Sequence, residues 1–179
     1  SGLAVHGGSG LNFGLVEVVR QIRTKEKSIE LVHRLDRDTS GLIMISKKRS
    51  VLKQLHAALR DKEGVQKTYQ ALVYGAWPKR KLQVNAPLLK NELKSGERVV
   101  TGRTHQIRVH TLHAGYPIVG DDKYSPSDQN KEAKALGFKR LCLHAAKLDI
   151  MLNDQRILVE APIDDEWRNA MNQNLTGIY

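Results

Sequence analysis

His33-Arg34-Leu35-Asp36-Arg37-Asp38-Thr39-Ser40-Gly41-Leu42 is the stretch whose reading decides the fold, because it sets a carboxylate in a basic, turn-forming segment just ahead of an apolar run. Asp36 follows the apolar Ile29, Leu31 and Val32 and has Arg34 and Arg37 beside it in sequence. Neighbouring cations favour the charged form of a carboxylate, which suits a nucleophile better than a general acid. Two readings stand at this level. An aspartate flanked by arginines also describes a surface ion pair of little energetic worth, and Asp-Thr-Ser-Gly also describes an ordinary turn.

Working outward, Leu42-Ile43-Met44-Ile45-Ser46 reads as a short strand apolar on both faces, hence central in a sheet and a rigid anchor for the Asp36 loop. Upstream, residues 1 to 14 read as a loop containing Gly7-Gly8-Ser9-Gly10, with no Lys-Ser/Thr pair to make a phosphate cradle. Leu15, Val18, Val19 and Ile22 recur at helical spacing from an Asn12 cap to about Arg23. Downstream, Ser50 is the expected cap of a helix carrying Val51, Leu52, Leu55, Ala58 and Leu59 and stopping at Gly64. Gln66 to Gly75 alternates as a strand, with Tyr69, Ala71 and Val73 on one face and Leu72 and Tyr74 on the other.

A third informative stretch, Gly102-Arg103-Thr104-His105-Gln106-Ile107-Arg108-Val109-His110, opens a helix expected from a Thr104 cap to a Gly115 stop. Arg103 at its start is a candidate phosphate contact. Beyond it come Pro117-Ile118-Val119-Gly120-Asp121 and a short polar helix over 131–137. Leu141 to Ala146 and Arg156 to Pro162 read as strands joined near Asn153-Asp154, and Asp164 caps a final helix packed through Trp167, Ala170 and Met171. His144 reads as a hydrogen-bonded sheet residue. Strands and helices without regular alternation give an α+β domain.

Composition narrows the partners. The 179 residues fit one domain, and 29 lysines and arginines against 19 acids give a net charge of +10, which favours a polyanion such as nucleic acid. Cys142, between two leucines, reads as a small buried hydrophobe, and a single cysteine permits no internal disulfide, in keeping with a reducing, cytoplasmic setting. No apolar run is long enough to span a membrane. His105, His110 and His113 lack the i, i+4 zincin pattern, so no metal is expected.

Three of these motifs together resemble the RluA family of pseudouridine synthases: His33 to Leu42, Lys67-x-Tyr69-x-Ala71-x-Val73-x-Gly75, and Gly102 to His110; Pro117 to Asp121 also resembles the family's Pro-Ile-x-Gly-Asp turn. The resemblance implies the pseudouridine synthase fold, a mixed and largely antiparallel sheet with flanking helices and a central cleft, over residues 1–179 as a single catalytic domain. It implies that Asp36 is the catalytic nucleophile, that Tyr69 packs against the target base, and that Arg108 pairs with Asp36. Arg34 is then the side chain that occupies the space of the flipped base, and Arg103, Lys67 and His105 contact RNA. No cofactor is implied.

Leu88-Leu89-Lys90-Asn91 and Ser95-Gly96-Glu97-Arg98 look most like the subgroup acting on large-subunit (23S) ribosomal RNA. Its members usually carry an upstream S4-like RNA-binding domain, which this sequence lacks. The family also has a further segment where Val100 meets Thr101 here, so residues are expected to be missing at that junction. A monomeric enzyme is expected. The alternatives are a non-catalytic RNA-binding module of the ribosome or its assembly, and a metal-dependent nuclease built on the histidines. The first explains the charge but not the three motifs.

Overall fold

The computed structural model describes residues 14–80, 83–84 and 105–174. The glycine stretch at 7–10, the Asn12 cap, the stretches at 88–91 and 95–98, Arg103, the Thr104 cap and the Val100-Thr101 junction lie outside the described residues. The chain divides into two compact units. One comprises Ser1–Gln70 with Leu143–Ile163, the other Ala71–Cys142 with Asp164–Tyr179.

In the first unit, α1 (Leu15–Ile22) starts after Gly14, whose N–H donates to the Glu17 carboxylate at 2.9 Å, so an acid in the first turn satisfies one of the donors a helix start leaves over. β1 (Glu30–Leu31), β2 (Ser40–Gly41) and β3 (Ile45–Ser46) follow. The expected single central strand over 42–46 is not what forms. β2 pairs in parallel with β5 (Leu143–Leu152), whereas β3 pairs antiparallel with β1, so the apolar run changes partner midway. Gly41 lets β2 lie close on β5. Its φ of +101° is open to glycine, and a Cβ there would stand 2.2 Å from the Ala145 carbonyl oxygen.

α2 (Arg49–Asp61) begins one residue before Ser50, after Lys48, and buries Leu52 and Leu55 one turn apart. Lys62 in the left-handed region closes it, and Gly64 follows. Those leucines join Val32, Met44, Leu148 and Ile150 in the core, with Leu42, Val51, Leu59, Val65 and Leu152 packed against it. Each such side chain contributes about 1.5–3 kcal/mol by leaving water. β4 (Val65–Ala71) lies across β5 from β2, and β6 (Gln155–Glu160) pairs antiparallel with β5 through a turn in which Asn153 and Asp154 both take positive φ. The two strands meet at Asn153-Asp154 as the sequence indicates.

In the second unit, Val73 bridges Ile118, and the Cys142 carbonyl accepts from Leu72. α3 (Gln106–His113) starts after His105, whose φ of +61° breaks the helix there. α4 (Ser127–Ala135) starts four residues earlier than its polar sequence suggests, directly after Pro126, and buries Asn130 and Ala133. α5 (Asp165–Asn174) is capped as expected, the Trp167 N–H donating to Asp164 at 2.9 Å, with Trp167 and Ala170 buried. Cys142 is buried, which pushes its thiol up to about 12 and makes it an inert core residue. The arrangement of helices with mixed parallel and antiparallel strands is α+β.

Candidate active site

Asp36 sits on the excursion between β1 and β2, half-buried, with its carbonyl accepting the Thr39 N–H at 3.0 Å in a turn. Both ends of the excursion are tied. Where it leaves β1, the Val32 N–H donates to the Met44 carbonyl at 3.0 Å and the Met44 N–H donates to His33 Nε2 at 3.1 Å. Where it returns, Ser40 and Gly41 are registered against His144 and Ala145, and the Leu42 N–H donates to the Ala145 carbonyl at 2.9 Å.

His144 adds a side-chain tie. Its Nε2 lies 3.0 Å from the Ala161 carbonyl, which can only accept, so that nitrogen carries the proton. Nδ1 is then the acceptor for the Ser40 hydroxyl at 2.8 Å. This buried histidine therefore holds the signature serine to β5, a sheet role as its sequence context indicates.

Tyr69, on β4, stands near enough for the Asp36 charge to act on its phenol. Burial first and that carboxylate second raise the phenol above its ordinary value of 10.0. A phenol so placed keeps its proton at neutral pH. Its ring can stack on a base, but its oxygen is a poor proton acceptor. Asp36 and Tyr69, two members of the expected catalytic set that lie far apart in sequence, are thus neighbours within the first unit.

Arg34 is exposed, and Lys67 is exposed on the same strand as Tyr69. The Lys67 charge reaches the imidazole of His33. Arg37, expected beside Asp36, directs its Nε to Asp38 at 3.2 Å in an exposed pair. Such a pair contributes little.

Arg108 belongs to the second unit. Its Nε donates to Asp121 Oδ2 at 2.8 Å and its Nη2 to Asp121 Oδ1 at 2.7 Å, a two-pronged pair in which the residues are 7% and 1% exposed. Asp121 Oδ1 also accepts the N–H groups of Lys123 and Tyr124, both at 3.1 Å. The Arg108 guanidinium lies over the Tyr124 ring, 5.0 Å from its centre, and the Tyr124 hydroxyl is 3.0 Å from His105 Nδ1. Asn130 donates to the Asp121 carbonyl at 2.9 Å, and the Tyr74 hydroxyl donates to the Gln129 carbonyl at 2.9 Å.

Asp121, the buried partner of Arg108, is a residue to which the sequence reading gives no role. In the sequence it ends the Pro117 to Asp121 stretch that resembles the family's turn, and nothing there pairs it with Arg108. Gly120, just before it, lies close on the Arg140 backbone: a Cβ there would stand 2.0 Å from the Arg140 carbonyl oxygen. Among the described residues, no group of three or more histidine, cysteine, aspartate or glutamate side chains is placed to hold a metal ion. No helix among them is long and apolar enough to cross a membrane.

Residues 1–100 match the model of the family described as RNA pseudouridylate synthase. The chain belongs to the RNA pseudouridylate synthase family. It is 46% identical over 205 residues to the ribosomal large subunit pseudouridine synthase C of Haemophilus influenzae, covering 97% of this chain and 63% of that protein. Against the Pasteurella multocida protein of the same name the identity is 44% over 203 residues, covering 96% and 62%. The Yersinia pestis counterpart is 44% identical over 211 residues, covering 98% of this chain and 66% of its own length. The chain therefore spans a little under two thirds of these relatives.

Each alignment is also longer than the 179 residues of this chain, so the relatives carry residues opposite which it has none. Among solved structures, human RNA pseudouridylate synthase domain containing 4 is similar with a TM-score of 0.66 at 20% identity, covering 96% of this chain and 86% of that one. Human RNA pseudouridylate synthase domain containing 1 gives 0.57 at 22%, covering 83% and 74%. These place the fold among pseudouridylate synthase domains.

Proposed function

We propose that this chain is the catalytic part of an enzyme that isomerises uridine to pseudouridine in large-subunit ribosomal RNA. The observation that carries the reading is the loop of Asp36, tied at both ends, beside the phenol of Tyr69. Family membership and the names of the relatives support the substrate class.

In the proposed reaction the C1′–N1 bond of uridine breaks, the base turns, and C1′ bonds to C5. The C5 hydrogen leaves as a proton and N1 gains one, so the product is an isomer and no cofactor or metal is required. The target base first leaves its stack at a cost of a few kcal/mol, and Arg34, exposed at the loop, fills the space. Asp36 acts as the nucleophile or as the base that removes a sugar proton. Tyr69 stacks on the flipped base. Arg108 is the third catalytic member, held by Asp121. Lys67, His105 and Arg103 contact the RNA.

The net charge of +10 supplies a salt-dependent attraction to phosphates. Selectivity comes from RNA shape and unpaired bases. The enzyme works as a cytoplasmic monomer in this reading, residues 1–179 forming one catalytic domain, and the residues absent relative to its relatives belong at the Val100-Thr101 junction, where the family match ends. The test is release of tritium from RNA labelled at uridine C5, without added metal. Salt-sensitive RNA binding with no release would favour the non-catalytic binding module instead.

A further inference from the structure

The histidine that opens the signature has no part in the reaction as proposed above, yet both nitrogens of its ring lie against backbone groups. β1 and β3 pair Glu30 with Ser46 and Leu31 with Ile45, so the next rung of the ladder joins Val32 to Met44. Half of that rung forms: the Val32 N–H donates to the Met44 carbonyl at 3.0 Å. In a continuing antiparallel ladder the Met44 N–H would return the bond to the Val32 carbonyl. Here it goes to His33 Nε2 at 3.1 Å. The imidazole takes the place of a backbone acceptor, and the two strands diverge at this rung without leaving the Met44 N–H unsatisfied.

The ring is suited to that task only when neutral. An amide N–H can only donate, so Nε2 is unprotonated and the proton rests on Nδ1, 3.4 Å from the Arg34 carbonyl. Burial, helped by the Lys67 charge on β4, pulls the imidazole down to about 4, so this form prevails throughout the neutral range. The two bonds of the ring therefore bracket the neck of the excursion that carries Arg34 and Asp36.

We propose that His33 is a positioning residue: by accepting from Met44 in place of the next ladder carbonyl, it closes the neck of the loop and fixes the backbone from which Arg34 and Asp36 project. The kinetic consequence rests on the uridine chemistry proposed above; the backbone tie does not. Misplacement of a reacting group by about 1 Å costs on the order of 100-fold in rate.

The test compares wild type, His33→Gln and His33→Leu. Glutamine can set its amide oxygen where Nε2 stands, whereas leucine fills space without an acceptor. Two quantities are read: hydrogen exchange at the Met44 amide, and kcat and KM for tritium release from C5-labelled RNA. Expected are slow exchange and a kcat within about fivefold of wild type for glutamine. For leucine, exchange at Met44 rises at least about tenfold and kcat falls on the order of 100-fold, while KM stays within about threefold. Wild-type protection of Met44 in the leucine variant overturns the proposal. So does equal loss of kcat in both variants, or loss of protection with kcat unchanged. If wild type itself releases no tritium, the proposed function fails, and the Met44 exchange alone still decides whether His33 closes the neck.

Discussion

Replacing Asp121 by alanine removes the acceptor of four hydrogen bonds at once. Arg108 loses the partner of its Nε and Nη2, at 2.8 and 2.7 Å, and the N–H groups of Lys123 and Tyr124 lose theirs at 3.1 Å. The guanidinium left behind is 7% exposed, so water does not replace the carboxylate. Removing one partner of a buried ion pair costs about 3–5 kcal/mol. For a chain of this size that corresponds to a melting temperature lower by roughly 6–20 °C.

Asp121→Asn separates the contributions, because Oδ1 takes the Nη2 and both backbone bonds while Oδ2 takes only Nε. An asparagine oriented with its oxygen toward Lys123 and Tyr124 keeps the turn and sets its amide nitrogen against Arg108 Nε, donor facing donor. Its loss should be about half that of alanine, by the cost of one unmet charged bond. Equilibrium urea unfolding followed by circular dichroism measures both. An alanine variant within about 1 kcal/mol of wild type would refute the account, since losing a buried carboxylate that accepts four hydrogen bonds, two of them from a guanidinium, cannot be so cheap.

Three further outcomes are expected. Gly41→Ala drives a Cβ to 2.2 Å from the Ala145 carbonyl oxygen at a φ of +101°, and should cost about 3 kcal/mol or more in urea unfolding; a loss under about 1 kcal/mol would mean that β2 is not pressed against β5 as described. His33 titrates near 4 in the folded chain against 6.5 when solvated, so the unfolded chain takes up a proton first as the pH falls. Its contribution is complete above about 6.5 and is lost between 6.5 and 4, amounting to about 1–2 kcal/mol after allowing for partial solvent screening. The stability difference between pH 7 and pH 4 should therefore be smaller in His33→Gln than in wild type, and an identical difference counts against a desolvated neutral ring. Tyr69→Ala should weaken stacking of the target base by about 1–3 kcal/mol, whereas Tyr69→Phe should stay within about threefold of wild type in kcat/KM. Equal damage from both variants would assign the chemistry to the phenol instead of the ring.

The proximity of Asp36 and Tyr69 is legible in the sequence because each lies in a long motif read by resemblance; neither periodicity nor spacing can bring residues 36 and 69 together. Helix α2 and the α5 cap are legible from physics alone, through the Leu52 and Leu55 stripe and the Asp164 side chain. The apolar run at 42–46 reads as one strand because hydrophobicity does not say which neighbour each residue pairs with; Leu42 still bonds β5, while Ile45 and Ser46 pair with β1. The α4 start is not legible because Ser127 to Lys131 carries no apolar stripe. Asp121 stays hidden because its burial comes from contacts across thirteen residues of chain, with Arg108.

The most direct test of the central claim is tritium release from uridine C5 in unmodified large-subunit ribosomal RNA, with wild type and Asp36→Asn measured side by side without added metal. Release by wild type is expected and none above background by the asparagine variant, with RNA binding by both within about threefold because the change leaves the basic contacts in place. Equal release by the two proteins would contradict the role assigned to Asp36.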